Sequence, residues 1–207
     1  MIINTGCRTD IPAYYSEWFF NRIREEYVLV RNPYREDQVL KYCLTPDVVD
    51  VICFCTKNPE PMLKSLDLIS AFRQFWFVTI NPYGRDIEPN VPEKSRVMSS
   101  LKSLSEKLVP RAVSWRYDPI FITEKYSTEF HIEYFRRAAA ELKDYVNSCV
   151  VSFIDLYAKT KRNFPGVKEV SQTQQEELIR AFSHIGRENG ILVRTCCENP
   201  EFQKYGV

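Results

Sequence analysis

The stretch Val48-Val-Asp-Val-Ile-Cys-Phe-Cys-Thr-Lys-Asn-Pro-Glu-Pro61 predicts a strand that leads directly into a helix. Its apolar run from Val48 to Phe54 is nearly unbroken, a pattern typical of a strand that is covered on both faces. Polar residues follow at once, and Asn58-Pro59 is a favourable helix start because Asn can cap a helix and Pro suits its first turn. This pattern recurs along the chain, so the polar residues just after each strand are the first candidates for function.

Length and composition predict one globular domain that spans residues 1–207. The net charge is +1, from 28 basic and 27 acidic residues, which does not favour a nucleic-acid or membrane partner. Binding of nucleic acid through Lys159, Lys161 and Arg162 is a weaker alternative, since phosphate binding depends on concentrated positive charge. No leader-like start and no apolar run near the ~18 residues of a membrane span are found, so a cytoplasmic location is expected.

The chain has seven cysteines, an odd number that argues against a secreted disulfide framework. Their spacing contains no C-x-x-C pair, and most are expected to pack in the core. Cys53 and Cys55 point to the same side of their predicted strand because strand side chains alternate. Two thiolates without a third ligand nearby are a weak indication of a metal site, so no metal ligand is assigned.

Strand and helix alternate six times along the chain, which predicts a parallel sheet with crossover helices. A hairpin over residues 27–44 is predicted as an insertion after the first helix. A doubly wound sheet is less favoured, because no G-x-G-x-x-G follows the first strand and no phosphate loop occurs. Polar residues at every strand end are typical of (β/α) barrels, which bind ligands at that end. Six units fall short of eight, so the predicted α/β fold is a partial (β/α) barrel.

Eight polar residues at or just after the predicted strands are the candidate ligand-binding residues: Arg8, Asp10, Lys57, Asn58, Asn81, Arg116, Asp118 and Asp155. A guanidinium can hold a carboxylate or phosphate, and carboxylates can hold ammonium and hydroxyl groups. The structural alternatives stay open, since Asp10 and Asn58 could cap helices and Arg116 could simply pair with Asp118. No catalytic residue is assigned, because His131 and His184 lie in predicted helices away from the strand ends.

Several segments, taken in order, resemble one protein family: Arg8-Thr-Asp-Ile-Pro-Ala13, Tyr15-Ser-Glu-Trp-Phe19, Val28-Leu-Val-Arg-Asn-Pro33, Thr56-Lys-Asn-Pro59, Pro82-Tyr-Gly84, Asp86-Ile-Glu-Pro-Asn90, Trp115-Arg-Tyr-Asp-Pro-Ile120 and Ser152-Phe-Ile-Asp-Leu-Tyr157. They resemble the prokaryotic family called domain of unknown function 1848, over effectively the whole chain. Its members look like relatives of radical S-adenosylmethionine enzymes. Their cysteine cluster, similar to the one that holds [4Fe–4S] in those enzymes, lies near the C-terminus.

The resemblance implies an enzyme with a [4Fe–4S] cluster and S-adenosylmethionine, whose amino-acid and ribose groups the eight candidate residues would hold. The chain is expected to end before the cysteine cluster begins, so we expect these 207 residues alone to be inactive. Two residues also depart from the family pattern, because Cys7 and Cys55 stand where the family commonly has Arg and Trp. The alternative is a non-enzymatic barrel that binds a small anionic ligand or a protein partner at the carboxyl ends of the strands.

Overall fold

The computed structural model describes residues 1–6 and 8–207, and it describes Glu36 only by its backbone. Cys7, one of the two residues that depart from the family pattern, lies outside the described residues. The chain divides into two compact units, Met1–Phe77 and Val78–Val207. The expectation of a single domain stays a prediction. No helix of the described chain is both long and apolar enough to cross a membrane.

The described residues form eight strands: β1 (Ile2–Asn4), β2 (Tyr27–Asn32), β3 (Arg35–Cys43), β4 (Val51–Thr56), β5 (Gln74–Thr79), β6 (Val113–Ile120), β7 (Ser148–Phe153) and β8 (Leu192–Thr195). They also form seven α-helices: α1 (Ile11–Tyr14), α2 (Ser16–Arg24), α3 (Glu60–Leu63), α4 (Lys94–Lys107), α5 (Thr128–Leu142), α6 (Ala158–Asn163) and α7 (Gln172–Glu188). Short 3-10 helices cover Leu66–Ile69, Pro110–Ala112 and Pro200–Tyr205.

Six strands form one parallel sheet in the order β1–β4–β5–β6–β7–β8, and β2 pairs with β3 as a separate antiparallel hairpin. Apart from the hairpin, neighbours in the sheet are successive in the chain. A doubly wound sheet reverses its strand order at a switch point, whereas a (β/α) barrel adds strands in one direction. The order therefore confirms the predicted partial (β/α) fold with a hairpin after the first helical segment.

Strand β4 contradicts one expectation, because it is buried on one face only. Ile52 and Phe54 are fully buried, whereas Cys53 and Cys55 on the opposite face are half-buried. The Phe54 ring stacks on Trp76, with 4.0 Å between centroids, and the Phe19 ring meets Phe54 edge-on at 5.3 Å. The apolar run did not reveal this alternation of burial, because cysteine is compatible with both buried and half-buried positions.

The second unit also buries one face of its sheet. Trp115 and Tyr117 of β6 are fully buried against helices α5 and α7. The Phe135 ring stacks on Trp115 at 4.6 Å and on Phe182 at 4.1 Å, so one aromatic side chain of α5 joins the sheet to α7. These stacked rings thus cover one face of β6 and do not extend to its opposite face.

Element boundaries differ from the sequence prediction at several places. The first helical segment is interrupted at Tyr15, and the helix expected to start at Asn58-Pro59 is a single α-helical turn followed by the 3-10 helix Leu66–Ile69. Strand β6 continues to Ile120, so Arg116 and Asp118 lie within the strand and not after it. This difference matters for function, since strand geometry fixes the direction of both side chains.

The prediction that most cysteines are core residues is wrong for the described chain. Of its six cysteines, only Cys149 is buried; Cys43 and Cys197 are exposed, and the others are half-buried. The exposed cysteines lie at the end of the hairpin and in the loop after β8. Free cysteine has a strong average preference for the interior, but a position at an element end overrides it.

Candidate functional site

Strands β6, β7 and β8 leave one face of the second unit only half-buried, and we call it the open face. The strand register places Arg116 beside Val150, and Val150 beside Arg194. Because parallel neighbours in register point to the same side, these three side chains share a face opposite to Trp115 and Tyr117. The open face comprises Arg116, Asp118, Val150, Ser152, Arg194 and Cys196, all half-buried except Arg194, which is exposed.

Arg116 and Asp118 form an ion pair on this face. The Arg116 Nε atom donates to Asp118 Oδ2 at 2.5 Å, and the two side chains are 29% and 18% exposed. A half-buried charge pair interacts more strongly than a surface pair, because the surroundings screen it less. The sequence prediction offered an ion pair or a ligand site for these residues; the ion pair is observed, and ligand binding stays a prediction.

The Asn81 amide holds the backbone of Asp118 from the neighbouring chain segment. Asn81 Oδ1 accepts from the Asp118 N–H at 2.9 Å, and Asn81 Nδ2 donates to the Asp118 carbonyl at 2.8 Å. Asn81 is 1% exposed, so its amide is positioned to fix Asp118 and is itself shielded from solvent. The structure therefore brings together three of the eight predicted residues, Asn81, Arg116 and Asp118.

Two further side chains fix the segment that follows Asp118. The Tyr83 hydroxyl donates to the Pro119 carbonyl at 2.7 Å and accepts from the Phe121 N–H at 3.2 Å. The Phe121 carbonyl lies 3.0 Å from His131 Nε2, and the other ring nitrogen lies 2.7 Å from the Tyr117 hydroxyl. Since a carbonyl can only accept, Nε2 carries the proton and Nδ1 accepts from Tyr117.

His131 is therefore a neutral imidazole whose two ring nitrogens are both hydrogen-bonded within the fold. Its side chain is fully buried, and this burial lowers the pKa of His131 to about 4. Burial likewise raises the pKa of Tyr117 well above its usual range, so neither partner is charged near neutral pH.

Glu88 and Lys94 extend the network, and the sequence prediction missed both. Glu88 Oε1 lies 3.4 Å from Asn81 Nδ2, and Glu88 Oε2 forms an ion pair with Lys94 Nζ. The Glu88 side chain is only 8% exposed. Glu88 does occur in the family-like segment Asp86-Ile-Glu-Pro-Asn90, which was the one sequence signal that could have drawn attention to it.

The loop after β8 brings two thiols to the edge of the open face. The Cys196 N–H donates to the Val151 carbonyl at 3.1 Å, and Glu198 Oε1 accepts from Ser152 Oγ at 2.9 Å and from the Phe153 N–H at 2.8 Å. Burial raises the pKa of the Cys196 thiol, and the adjacent Cys197 raises it further, whereas Arg116 lowers it. The loop is thus tied to the end of β7, a contact over 45 residues that local patterns did not predict.

Asp155 lies apart from this network in its contacts. It is exposed and accepts a hydrogen bond from the Tyr157 hydroxyl at 3.0 Å. It follows β7 as predicted, and its part in ligand binding stays a prediction.

The other four predicted residues belong to the first unit. Asp10 caps α1 by accepting from the Ala13 N–H at 3.0 Å, and its second oxygen accepts from the Lys57 N–H at 2.7 Å. Asn58 Oδ1 accepts from the Glu60 N–H at 3.3 Å, and the exposed Arg8 donates to the Arg31 carbonyl at 3.3 Å. The capping role of Asp10 is therefore observed, whereas Pro59 and not Asn58 stands at the N-cap of α3. Ligand binding by these four residues stays a prediction.

A cysteine-held cluster does not fit the residues that the structure describes. No group of three or more His, Cys, Asp or Glu side chains within residues 1–6 and 8–207 could hold a metal ion. Iron–sulfur clusters are held mainly by cysteine thiolates, usually four of them. Cys196 and Cys197 supply two thiols, and Cys53 and Cys55 lie in the first unit, so no ligand set is assembled.

Comparison with protein families identifies a match over nearly the whole chain. A family model described as domain of unknown function (DUF1848) matches residues 2–207. The chain belongs to this family. No curated protein and no solved structure matches the chain. Membership in the DUF1848 family confirms the resemblance seen in the sequence, and the family's name assigns no activity to it.

Proposed function

We propose that this DUF1848 protein binds a small molecule through a carboxylate on the open face, with Arg116 as the anion contact. One observation carries the proposal: the Arg116 guanidinium is half-buried and oriented by Asp118, whose backbone Asn81 holds from both sides. A guanidinium that is already oriented loses less conformational entropy when it binds a carboxylate.

The neighbours of Arg116 suit a small ligand with an apolar portion. Val150 lies between Arg116 and Arg194 in the register, so an apolar residue stands between two arginines whose backbone positions are two strand spacings, or about 10 Å, apart. Ser152 and the Cys196 thiol add hydrogen-bonding groups near the carboxyl end of the strands. In parallel sheets with crossover helices, ligands bind at this end.

The family resemblance suggests S-adenosylmethionine as the ligand, and its amino-acid moiety carries a carboxylate. We therefore infer an amino-acid-type ligand, with its carboxylate at Arg116. The test is calorimetric titration of the protein with S-adenosylmethionine and with L-methionine, using L-methionine methyl ester as the control ligand. Saturable binding of either carboxylate, and none of the ester, supports the proposal; absence of heat with both carboxylates contradicts it.

The iron–sulfur enzyme remains a separate hypothesis, drawn from the resemblance alone. Because the described cysteines do not assemble a ligand set, we derive no reaction step through a cluster and assign no catalytic residue. Iron and acid-labile sulfide in the anaerobically purified protein would test it. Stoichiometric iron and sulfide would overturn our conclusion that these thiols do not fit a cluster.

A further inference from the structure

The first unit contains a groove that the proposed ligand site does not use, and we call it the hairpin groove. Its volume is about 390 Å³, within the range of small-molecule sites. It lies between helix α2, strand β2 and the end of β1. Its lining includes three arginines and three apolar residues: Arg8, Trp18, Phe19, Arg22, Val30 and Arg31.

The wall of the hairpin groove is mainly apolar. Phe19 is 5% exposed and Val30 is half-buried, so both offer apolar surface to the groove while remaining fixed in the fold. Trp18 lines the groove and is 46% exposed, an unusual exposure for so large a ring. Covering exposed apolar surface of this kind is favourable by roughly 25 cal/mol for each Å² removed from water.

The charged residues that line the groove are all cationic. They are Arg8, Arg22 and Arg31, and none of the described residues that line it carries a carboxylate. Arg22 Nε is buried and has no hydrogen-bond partner in the described chain, while its guanidinium carbon lies 5.7 Å from the centre of the Tyr27 ring. A buried donor without a partner is costly, and a ligand carboxylate would remove that cost.

We propose that the hairpin groove binds a medium-chain fatty-acid-type ligand, with its hydrocarbon along Trp18 and Phe19 and its carboxylate at Arg22. The complementarity is twofold, since an apolar body fits the wall and one negative charge fits a lining with three arginines. Arg8, predicted as a candidate for the strand-end site, would act here in the first unit. This inference does not depend on the function proposed for the open face.

Trp18 provides a direct signal for the test. The other two tryptophans, Trp76 and Trp115, are fully buried, so a ligand in the groove should change the emission of Trp18 alone. Sodium decanoate, kept below its micelle concentration, should shift the emission to shorter wavelength in a saturable way. Decanol has the same hydrocarbon chain without the charge, and its affinity should be lower than that of decanoate by about tenfold or more.

Variants of α2 separate charge from packing. Arg22→Met retains an unbranched side chain, removes the charge and should weaken decanoate binding about tenfold or more. The control is Arg24→Met at an exposed residue of the same helix, and it should leave decanoate binding unchanged. If Arg22→Met does not fold, the exposed pair Arg8→Met/Arg31→Met replaces it with the same expectation. Equal binding of decanol and decanoate, no saturable change, or self-association in place of decanoate binding would each overturn the proposal.

Discussion

The Asn81 side chain forms two hydrogen bonds with the backbone of Asp118, accepting from its N–H at 2.9 Å and donating to its carbonyl at 2.8 Å. The amide thereby acts as a short strand partner just beyond the end of β5. The adjacent backbone atom, the Ile80 carbonyl, is engaged elsewhere because it accepts from Trp115 Nε1 at 3.0 Å. A polar side chain therefore replaces the backbone ladder at the point where Asp118 orients Arg116.

Asn81→Ala should destabilise the protein by about 1–3 kcal/mol, because it leaves two half-buried backbone groups of Asp118 without their Asn81 partner. Urea unfolding followed by circular dichroism measures the loss. Asn163→Ala, at an exposed residue, is the control and should change the free energy of unfolding by less than about 0.5 kcal/mol. Equal stability of the two variants would show that the Asn81 amide does not fix Asp118.

His131 should make the stability of the fold depend on pH. Burial lowers the pKa of His131 from 6.5 to about 4 in the folded chain, so the unfolded chain takes up the proton first as the pH falls. The contribution of neutral His131 is complete above about pH 6.5 and decreases as the pH falls toward about 4, by roughly 3 kcal/mol at most.

Unfolding free energies of the wild type and of His131→Gln, measured between pH 7 and pH 4, test this expectation. The difference between the two proteins should shrink as the pH falls. The second histidine is the matched control, since His184 is 66% exposed and His184→Gln should keep the wild-type profile. A pH profile that His131→Gln leaves unchanged would contradict the neutral buried imidazole.

The alternation of strands and helices predicted the fold, because local apolar patterns indicate which residues of a parallel sheet and its helices are buried. The candidate site was harder to predict from the sequence. Arg116 and Asp118 were chosen as polar residues that follow a predicted strand, but the prediction ended this strand before Arg116, whereas β6 continues to Ile120. The contacts that keep this segment extended come from Asn81 and Tyr83, 36 to 38 residues away. Such contacts depend on tertiary structure, and the same reason explains why Glu88 and Glu198 were missed.

The cysteines should react with a thiol reagent in an order set by their exposure. Cys43 and Cys197 are exposed and should be alkylated first, whereas Cys149 is fully buried and burial raises the pKa of its thiol well above the usual range. Mass spectrometry after timed treatment with iodoacetamide gives the order, because the thiolate is the reactive form. Labelling of Cys149 in the folded protein at the rate of Cys43 would contradict the packing of β7.

Gly186 should resist a substitution that usually stabilises a helix. In an exposed helix, alanine is more favourable than glycine by about 1 kcal/mol. At Gly186 a Cβ atom would lie 2.5 Å from the Ile191 carbonyl oxygen and 2.7 Å from Val193 Cγ2, so we expect Gly186→Ala to destabilise the protein by about 1–3 kcal/mol. Arg180→Ala, at an exposed residue of α7, should change the stability by less than about 0.5 kcal/mol. Stabilisation by Gly186→Ala would show that α7 does not lie this close to the chain leading into β8.

Arg116 as the anion contact of a carboxylate ligand on the open face is tested most directly by comparing affinities for S-adenosylmethionine and L-methionine. The variant Arg116→Gln/Asp118→Asn replaces the ion pair by a neutral pair of similar shape, so no unpaired charge threatens the fold. Arg111→Gln, at an exposed residue just before β6, is the control. We predict that calorimetry finds binding by the wild type and Arg111→Gln, and affinity lower by about tenfold or more in the double variant. Equal affinity of all three proteins, or no binding of either S-adenosylmethionine or L-methionine by any of them, would overturn the assignment of Arg116 as the anion contact.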